Sequence, residues 1–224
     1  MPKNEIKIIE VKQNIFAENE KAADELRKHL KKEKTFMVNL MSSPGAGKTT
    51  ILLRTIEMLK DEMKIGVMEA DIDASIDAEK IAATGTKSIQ IHTGGMCHMD
   101  AGMTREGLNE LGIEDLDLVV LENVGNLVCP AEFDTGASCN VMILSVPEGD
   151  DKPLKYPLMF QVCDLVLINK IDAKSIFDFD DEAVVRRIHD RNPNTEILFI
   201  SAKTGEGFNK WCDWLRNRVK EWQK

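Results

Sequence analysis

Seven short apolar runs, each followed by a polar or helix-patterned stretch, set the frame of this chain. They cover residues 35–41, 64–70, 87–92, 116–122, 140–146, 164–168 and 196–200, and are nearly continuous in Val, Ile and Leu. A strand with one wet face alternates apolar and polar side chains, so an unbroken run fits a strand covered on both faces. Helical patterns lie between or after the runs, over 49–62, 75–84, 100–111, 154–162, 180–192 and 207–222. Strands separated by helices of this length imply crossover units and parallel pairing. The expected fold is α/β, a mainly parallel sheet with helices on both faces and its sites at the carboxyl ends of the strands. Residues 1–34 stand apart, with an apolar-alternating start (Ile6, Ile8, Val11) and a charged helical stretch over 17–34. They read as an N-terminal arm on one domain spanning 35–224.

Between the first run and the first helix of that domain lies Ser42-Ser43-Pro44-Gly45-Ala46-Gly47-Lys48-Thr49-Thr50. Gly45 and Gly47 let the backbone N–H groups curl around anionic oxygens, and the helix N-terminus adds its positive dipole end. Lys48 is placed to reach the β- and γ-phosphates, and Thr49 to set its hydroxyl on Mg²⁺. The usual pattern opens with Gly where this chain has Ser42. Taken alone, such a stretch also reads as an ordinary strand-to-helix turn. Two later segments specify it as the P-loop of a guanine-nucleotide site. Asn169-Lys170-Ile171-Asp172 closes the sixth run, and the Asp172 carboxylate matches the N1–H and exocyclic amine of guanine, a donor pair that adenine lacks. Ser201-Ala202-Lys203 follows the seventh run and would buttress the far side of the base through backbone N–H and the lysine stem. Together the three predict a GTPase with GTP and GDP as its ligands.

The segments between cradle and base motif are expected to hold Mg²⁺ and the switches. Glu69-Ala70-Asp71-Ile72-Asp73 closes the second run, and either Asp71 or Asp73 would serve the metal, directly or through water; the plain alternative is helix capping before Ser75. Glu122-Asn123-Val124-Gly125 closes the fourth. There the Gly125 N–H would donate to the γ-phosphate while Glu122, where many such proteins have Asp, orients Mg²⁺ or the attacking water. Lys48, Glu122 and Asp71 are thus the expected catalytic residues. No Gln or Arg stands in an evident catalytic position beside Gly125, which predicts slow intrinsic hydrolysis.

A second constellation is Cys97-His98, just after the third run, with Cys129-Pro130. The pair precedes a helix expected from Asp100, and a helix N-terminus favours thiolate. Two adjacent ligands do not close a tetrahedral site; Cys129, four residues beyond Gly125, brings a third. Such a set suits Zn²⁺ or Ni²⁺ better than Mg²⁺ or Ca²⁺, although free cysteines also serve as packing residues. Cys139, Cys163 and Cys212 lie in or beside apolar runs and read as packing. His92 ends a strand near Cys97 and is not counted as a ligand; His29 and His189 read as solvated. Trp211, Trp214 and Trp222 form one packing face at helical spacing.

Five scattered cysteines, an odd number, argue against a disulfide framework and for a reducing compartment. The start, Met1-Pro2-Lys3-Asn4-Glu5, lacks the apolar core of a signal peptide, and no run approaches the ~20 residues of a membrane span. With a net charge of −9 no basic face dominates. The expectation is a cytoplasmic protein with no nucleic-acid or membrane partner.

The cradle, Cys97-His98-Met99-Asp100-Ala101, the stretch Glu122 to Pro130, Lys152-Pro153-Leu154-Lys155-Tyr156-Pro157 and Asn169 to Asp172 together resemble the HypB family of hydrogenase nickel-insertion GTPases, over about residues 35–222. Ser42 is what that family has too. The resemblance implies a P-loop GTPase that dimerises with GTP and helps deliver Ni²⁺ to the large subunit of nickel–iron hydrogenase, alongside nickel-delivery accessory proteins. It also implies that Cys97, His98 and Cys129 bind Zn²⁺ or Ni²⁺ at the subunit interface, and that Lys152 lies near the partner's nucleotide. Residues 1–34 contain no cysteine and only His29, so no N-terminal nickel store is expected. Two alternatives remain: a metal-independent, nucleotide-gated interaction module, and a nickel GTPase serving another enzyme. The sister GTPase of urease carries Cys-Pro-His, a motif absent here; the chaperone GTPase of cobalamin-dependent mutases lacks the paired Cys-His and Cys-Pro motifs.

Overall fold

The computed structural model of the protein describes residues 11–71 and 76–224. In chain order its elements are α1 (Val11–Glu33), β1 (Phe36–Ser42), α2 (Lys48–Leu59), β2 (Ile65–Asp71), α3 (Ile76–Ala82), β3 (Lys87–His92), α4 (Ala101–Leu111), β4 (Leu118–Glu122), α5 (Cys129–Glu132), β5 (Cys139–Ser145), α6 (Lys152–Lys155), α7 (Pro157–Gln161), β6 (Leu165–Asn169), α8 (Asp181–His189), β7 (Glu196–Phe199) and α9 (Phe208–Trp222). The strands form one sheet in the order β3-β2-β4-β1-β5-β6-β7, every neighbouring pair parallel. This is the doubly covered parallel sheet that the apolar runs predict. The cradle after β1 leaves the sheet at its middle, between the segments that follow β4 and β5.

Each strand divides its side chains between two layers. Val38, Leu40, Val67, Val120, Ile143 and Leu167 face α2 and α9, where Ile51, Leu52, Ile56, Trp211 and Leu215 complete one core cluster. On the other face Met37, Met68, Val119 and Leu121 meet Leu26 and Leu30 of α1 and Leu108 and Leu111 of α4. Further along that face Met41, Met142, Leu144, Val166 and Ile168 meet Phe160 of α7 and Val184 and Ile188 of α8. Fully burying one such side chain is worth about 1.5–3 kcal/mol, which is why the runs hold no charge except at their ends. Trp211 and Trp214 stack at 5.6 Å between ring centroids, and Trp222 meets Phe36 edge-on at 5.9 Å.

Four elements differ from expectation. The single helix expected over 154–162 is broken into α6 and α7 at Tyr156 (φ −129°, ψ 59°). Pro157 follows it, and the residue before a proline is pushed out of the α region. The strand expected over 116–122 starts at Leu118, because the Leu116 N–H is turned back to the Ile113 carbonyl (3.0 Å). The short α5 was signalled only by Pro130 in its first turn. Helix α1 is longer than the stretch over 17–34 and is tied to the sheet side of α4. Asn19 donates to the Asp134 carbonyl (2.9 Å) and accepts from Ala101 N–H (2.9 Å), while Arg27 Nε donates to the Ala137 carbonyl (3.0 Å) and its guanidinium pairs with Asp134. Ile6 and Ile8 lie outside the described residues. Among the described residues no helix is long and apolar enough to cross a membrane.

Candidate functional site

The cradle begins where β1 ends. Lys48 Nζ donates to Ser42 Oγ (3.1 Å), and that hydroxyl donates to the Ser43 carbonyl (2.6 Å). Serine at the position where glycine is usual therefore parks the lysine over the loop. Gly47 precedes α2 in the left-handed region (φ 104°), and a Cβ there would lie 2.6 Å from Asn169 Nδ2. Pro44, Gly45, Gly47, Lys48, Thr49 and Thr50 line a cavity of about 620 Å³, within the range of small-molecule sites. Gly125 closes its far wall, and a Cβ there would press on Pro44 at 3.1–3.3 Å.

Asn169 joins the three nucleotide segments. Its Nδ2 donates to the Ala46 carbonyl (2.9 Å), and its Oδ1 accepts from Ala202 N–H (3.2 Å). Lys170, held at a left-handed φ of 62°, donates from Nζ to the Gly45 carbonyl (2.6 Å). Ser201 Oγ donates to Asp172 Oδ1 (2.6 Å) and accepts from Thr204 N–H (3.0 Å), which sets the carboxylate's rotation. Asp172, Ala202 and Lys203 then bound a cavity of about 190 Å³, sharing Gly47, Thr50 and Lys170 as a wall with the phosphate cavity. A flat base between those walls would present its edge to Asp172.

On the opposite side Thr49 Oγ1 donates to Glu122 Oε1 (3.0 Å). Glu69 is the register partner of Glu122 across β2 and β4, is 4 % exposed and lines the same cavity. Thr49, Glu122 and Glu69 offer the hard oxygen donors that suit Mg²⁺. Asp71 ends β2, but its side chain lies outside the described residues, as does all of Asp73. Sequence reasoning passed over Glu69 in favour of those two; its signal was a charge near the end of an apolar run. Two other residues were also missed. Glu148 accepts from Ser43 Oγ and from Ser145 N–H (2.8 Å), joining the cradle to the loop before Lys152. Arg54 donates to the Ala202 carbonyl (3.0 Å) with its guanidinium over the Phe208 ring, which supports the base loop from α2. Arg54 has no local sequence signal, because it acts on an element remote in the chain, whereas Glu148 closes a local Ser145-to-Glu148 capping box whose link to Ser43 the spacing does not show.

Beyond Gly125 the chain turns into α5 and brings Cys129 to Cys97. Their sulfurs are 2.7 Å apart, and the donor atoms of Cys97, His98 and Cys129 all lie within 4.8 Å of one another. Asp100 Oδ1 accepts from Met103 N–H (2.8 Å) and so caps α4 immediately after the pair. The His98 ring stacks on Phe133 at 3.9 Å, and Phe133 meets Phe16 of α1 at 5.0 Å. His98 Nδ1 is buried without a hydrogen-bond partner. Burial holds the His98 pKa below its ordinary value, against Asp100 and Glu132 pulling the other way, and the neutral ring is the form that ligates metal. The hydrogen bond from Cys97, then burial, pushes the Cys129 thiol up. Two sulfurs and an imidazole nitrogen left without a partner fit Zn²⁺ or Ni²⁺. Among the described residues no fourth Cys, His, Asp or Glu joins them. His92 is outside the group, and Cys139, Cys163 and Cys212 are buried elsewhere, burial raising the Cys212 thiol to about 11.

Residues 36–199 match the family model described as the CobW/HypB/UreG nucleotide-binding domain. The hydrogenase maturation factor HypB of Escherichia coli (strain K12) is 43 % identical over 212 residues, 95 % of this chain and 73 % of that protein. The crystal structure of the hydrogenase maturation factor HypB from Archaeoglobus fulgidus superposes with a TM-score of 0.85 at 40 % identity, covering 91 % of this chain and 99 % of that one. That of HypB from Helicobacter pylori in complex with nickel also gives 0.85, at 38 % identity, over 91 % and 96 %.

Proposed function

This chain belongs to the CobW/HypB/UreG family, in its HypB branch, and from that premise we propose that it is a GTP-hydrolysing metallochaperone assisting nickel insertion during maturation of nickel–iron hydrogenase. The observation that carries the reading is the convergence of Cys97, His98 and Cys129, with Cys129 only four residues along the loop from Gly125. A purely nucleotide-gated module has no need of two thiols and an unpartnered imidazole beside its γ-phosphate segment. The Helicobacter pylori relative, whose structure is a complex with nickel, supports nickel as the cargo.

In this reading Lys48 and the N–H groups of Gly45 to Thr50 bind the phosphates, and Asp172 reads guanine. Thr49 and Glu122, with Glu69 beside them and Asp71 at the strand end, would hold Mg²⁺. When bound, that ion would neutralise charge on the β- and γ-phosphates. Glu122 and the Gly125 N–H orient water and the γ-phosphate, water displaces GDP, and phosphate leaves. Among the described residues lining the cavity there is no Gln or Arg, so hydrolysis is slow and acts as a timer. Residues 35–224 carry both sites, with 1–34 as their N-terminal element.

Among the described residues the metal set has no fourth ligand, and the exposed apolar Met96 and Val128 flank it. Both features favour a GTP-dependent homodimer sharing the Zn²⁺ or Ni²⁺ site, with Lys152 near the partner's nucleotide. The protein works in the cytoplasm with nickel-delivery accessory proteins and the hydrogenase large subunit. An extended residue advances the chain by at most ~3.6 Å, so drawing Gly125 to the γ-phosphate must shift Cys129 against Cys97 and His98. Metal and nucleotide affinities then change each other by the same factor. Equilibrium dialysis of Ni²⁺ and Zn²⁺ against the GDP and GTP-analogue forms tests this. Different affinities in the two forms are expected; no binding of either metal would leave the nucleotide-gated module.

A further inference from the structure

We propose that Asn123 is a positioning residue for the metal ligands: its side-chain carbonyl locks the Cys97-His98 segment to the nucleotide-sensing segment, and a directed row of asparagines orients it. The inference rests on the metal-site reading above and names a group that reading does not use.

Asn123 is 0 % exposed and sits between Glu122 and Gly125. Its Oδ1 accepts from two backbone N–H groups, Met99 (3.3 Å) and Val124 (2.9 Å). Met99 directly follows His98, and Val124 directly precedes Gly125. One oxygen thus holds the chain on both sides of the gap between the sites.

The amide group of Asn123 cannot turn over freely. Its Nδ2 donates to Asn39 Oδ1 (2.9 Å), Asn39 Nδ2 donates to Asn140 Oδ1 (2.9 Å), and Asn140 Nδ2 donates to the Val162 carbonyl (3.2 Å). A backbone carbonyl only accepts, so Asn140 must present its NH₂ to Val162 and its oxygen to Asn39. Each later amide inherits that sense. Reversing any one of them sets oxygen against oxygen or NH₂ against NH₂. The last oxygen in the row is therefore aimed at Met99 and Val124.

The row crosses β5, β1 and the end of β4 on the sheet face that carries Met37 and Met41, at the seam between two apolar clusters. Buried amides are costly there unless every partner is supplied, and aliphatic side chains would fill the seam without that demand. What the asparagines supply and aliphatics do not is a fixed acceptor for two buried N–H groups.

The test uses the full chain with GDP bound, Co²⁺ as the metal probe, and amide hydrogen exchange on the metal-free form. In Asn123→Ala the Met99 amide should exchange about tenfold faster or more, and Co²⁺ should bind about tenfold more weakly with altered d–d bands, the scale of loss when a ligand's support is removed. Asn140→Ala touches neither site; it should weaken Co²⁺ in the same direction while leaving GDP affinity unchanged, and it decides the matter if Asn123→Ala does not fold. Folded variants with the wild-type Co²⁺ spectrum and affinity would overturn the inference, as would unchanged exchange at Met99. If wild-type protein binds no Co²⁺, Ni²⁺ or Zn²⁺, the metal-site reading has failed, and unaltered or accelerated Met99 exchange still separates that failure from failure of the lock.

Discussion

Asp172 is the proposed reader of the base, and its carboxylate is held in place by Ser201 rather than left to rotate. Two hydrogen bonds to guanine would be lost with adenine, leaving buried donors and acceptors unpaired. ATP binding within about tenfold of GTP, ~1.4 kcal/mol, in a competition assay would overturn the assignment. Lys48→Ala should remove most triphosphate affinity without unfolding, because Lys48 is half-buried, lines the cavity and belongs to none of the apolar core clusters. Cys129→Ala should weaken Ni²⁺ and Zn²⁺ while sparing GDP, as read by isothermal titration. A metal held by Cys97, His98 and Cys129 would compete with protons, and the sign follows from the two shifts. The His98 pKa is lowered, so its ring stays neutral further into acid than an ordinary imidazole. The Cys129 thiol is raised, so its proton must be displaced near neutrality and the affinity should climb with pH. An affinity flat with pH would argue against thiolate ligation. Lys48, Thr49, Asp172, Cys97 and Cys129 stood out in the sequence as candidates because each sits in a short motif whose chemistry is local. The pairing of Glu69 with Glu122, the bond from Ser43 to Glu148 and the support from Arg54 did not, because each joins residues of different elements.

Helix α1 is the element whose role the sequence understated. Leu26 and Leu30 are buried against the α4 side of the sheet, and Phe16 backs the Phe133 ring on which His98 stacks. Leu30→Ala should cost about 2–5 kcal/mol, the usual range for a buried leucine, seen as a lowered midpoint in denaturant. An unchanged midpoint would mean that α1 does not contribute to the cooperative fold. The strands were the most legible elements, because burial on both faces leaves an unbroken apolar run. Helices α6 and α7 were read as one, since the apolar spacing of Leu154, Leu158 and Phe160 continues across a proline that the backbone does not tolerate. The four residues of α5 are too few to show a period at all.

For the whole molecule, the three-ligand metal set and the exposed Met96 and Val128 beside it argue for a second copy across that surface. Sedimentation should show a larger mass with a non-hydrolysable GTP analogue than with GDP; equal masses would remove nucleotide-driven assembly. Intrinsic turnover should lie near 10⁻⁴–10⁻² s⁻¹, the range of comparable unassisted sites, measured as phosphate release. Tens of turnovers per second without a partner would show that a catalytic group has been overlooked.

The sequence by itself determined the parallel α/β sheet and singled out the candidate residues of the cradle, base reader and metal set. Those follow from periodicity and from chemistry confined to a few consecutive residues. Only the tertiary structure decided that Glu69 stands opposite Glu122, that Asn169 binds three motifs together, and that Cys129 meets Cys97. It also decided that Asn39, Asn123 and Asn140 form one directed row. Such pairings depend on strand order and register, which bring Ala46 and Asn169, 123 positions apart, to hydrogen-bond distance and leave no trace in the spacing along the chain.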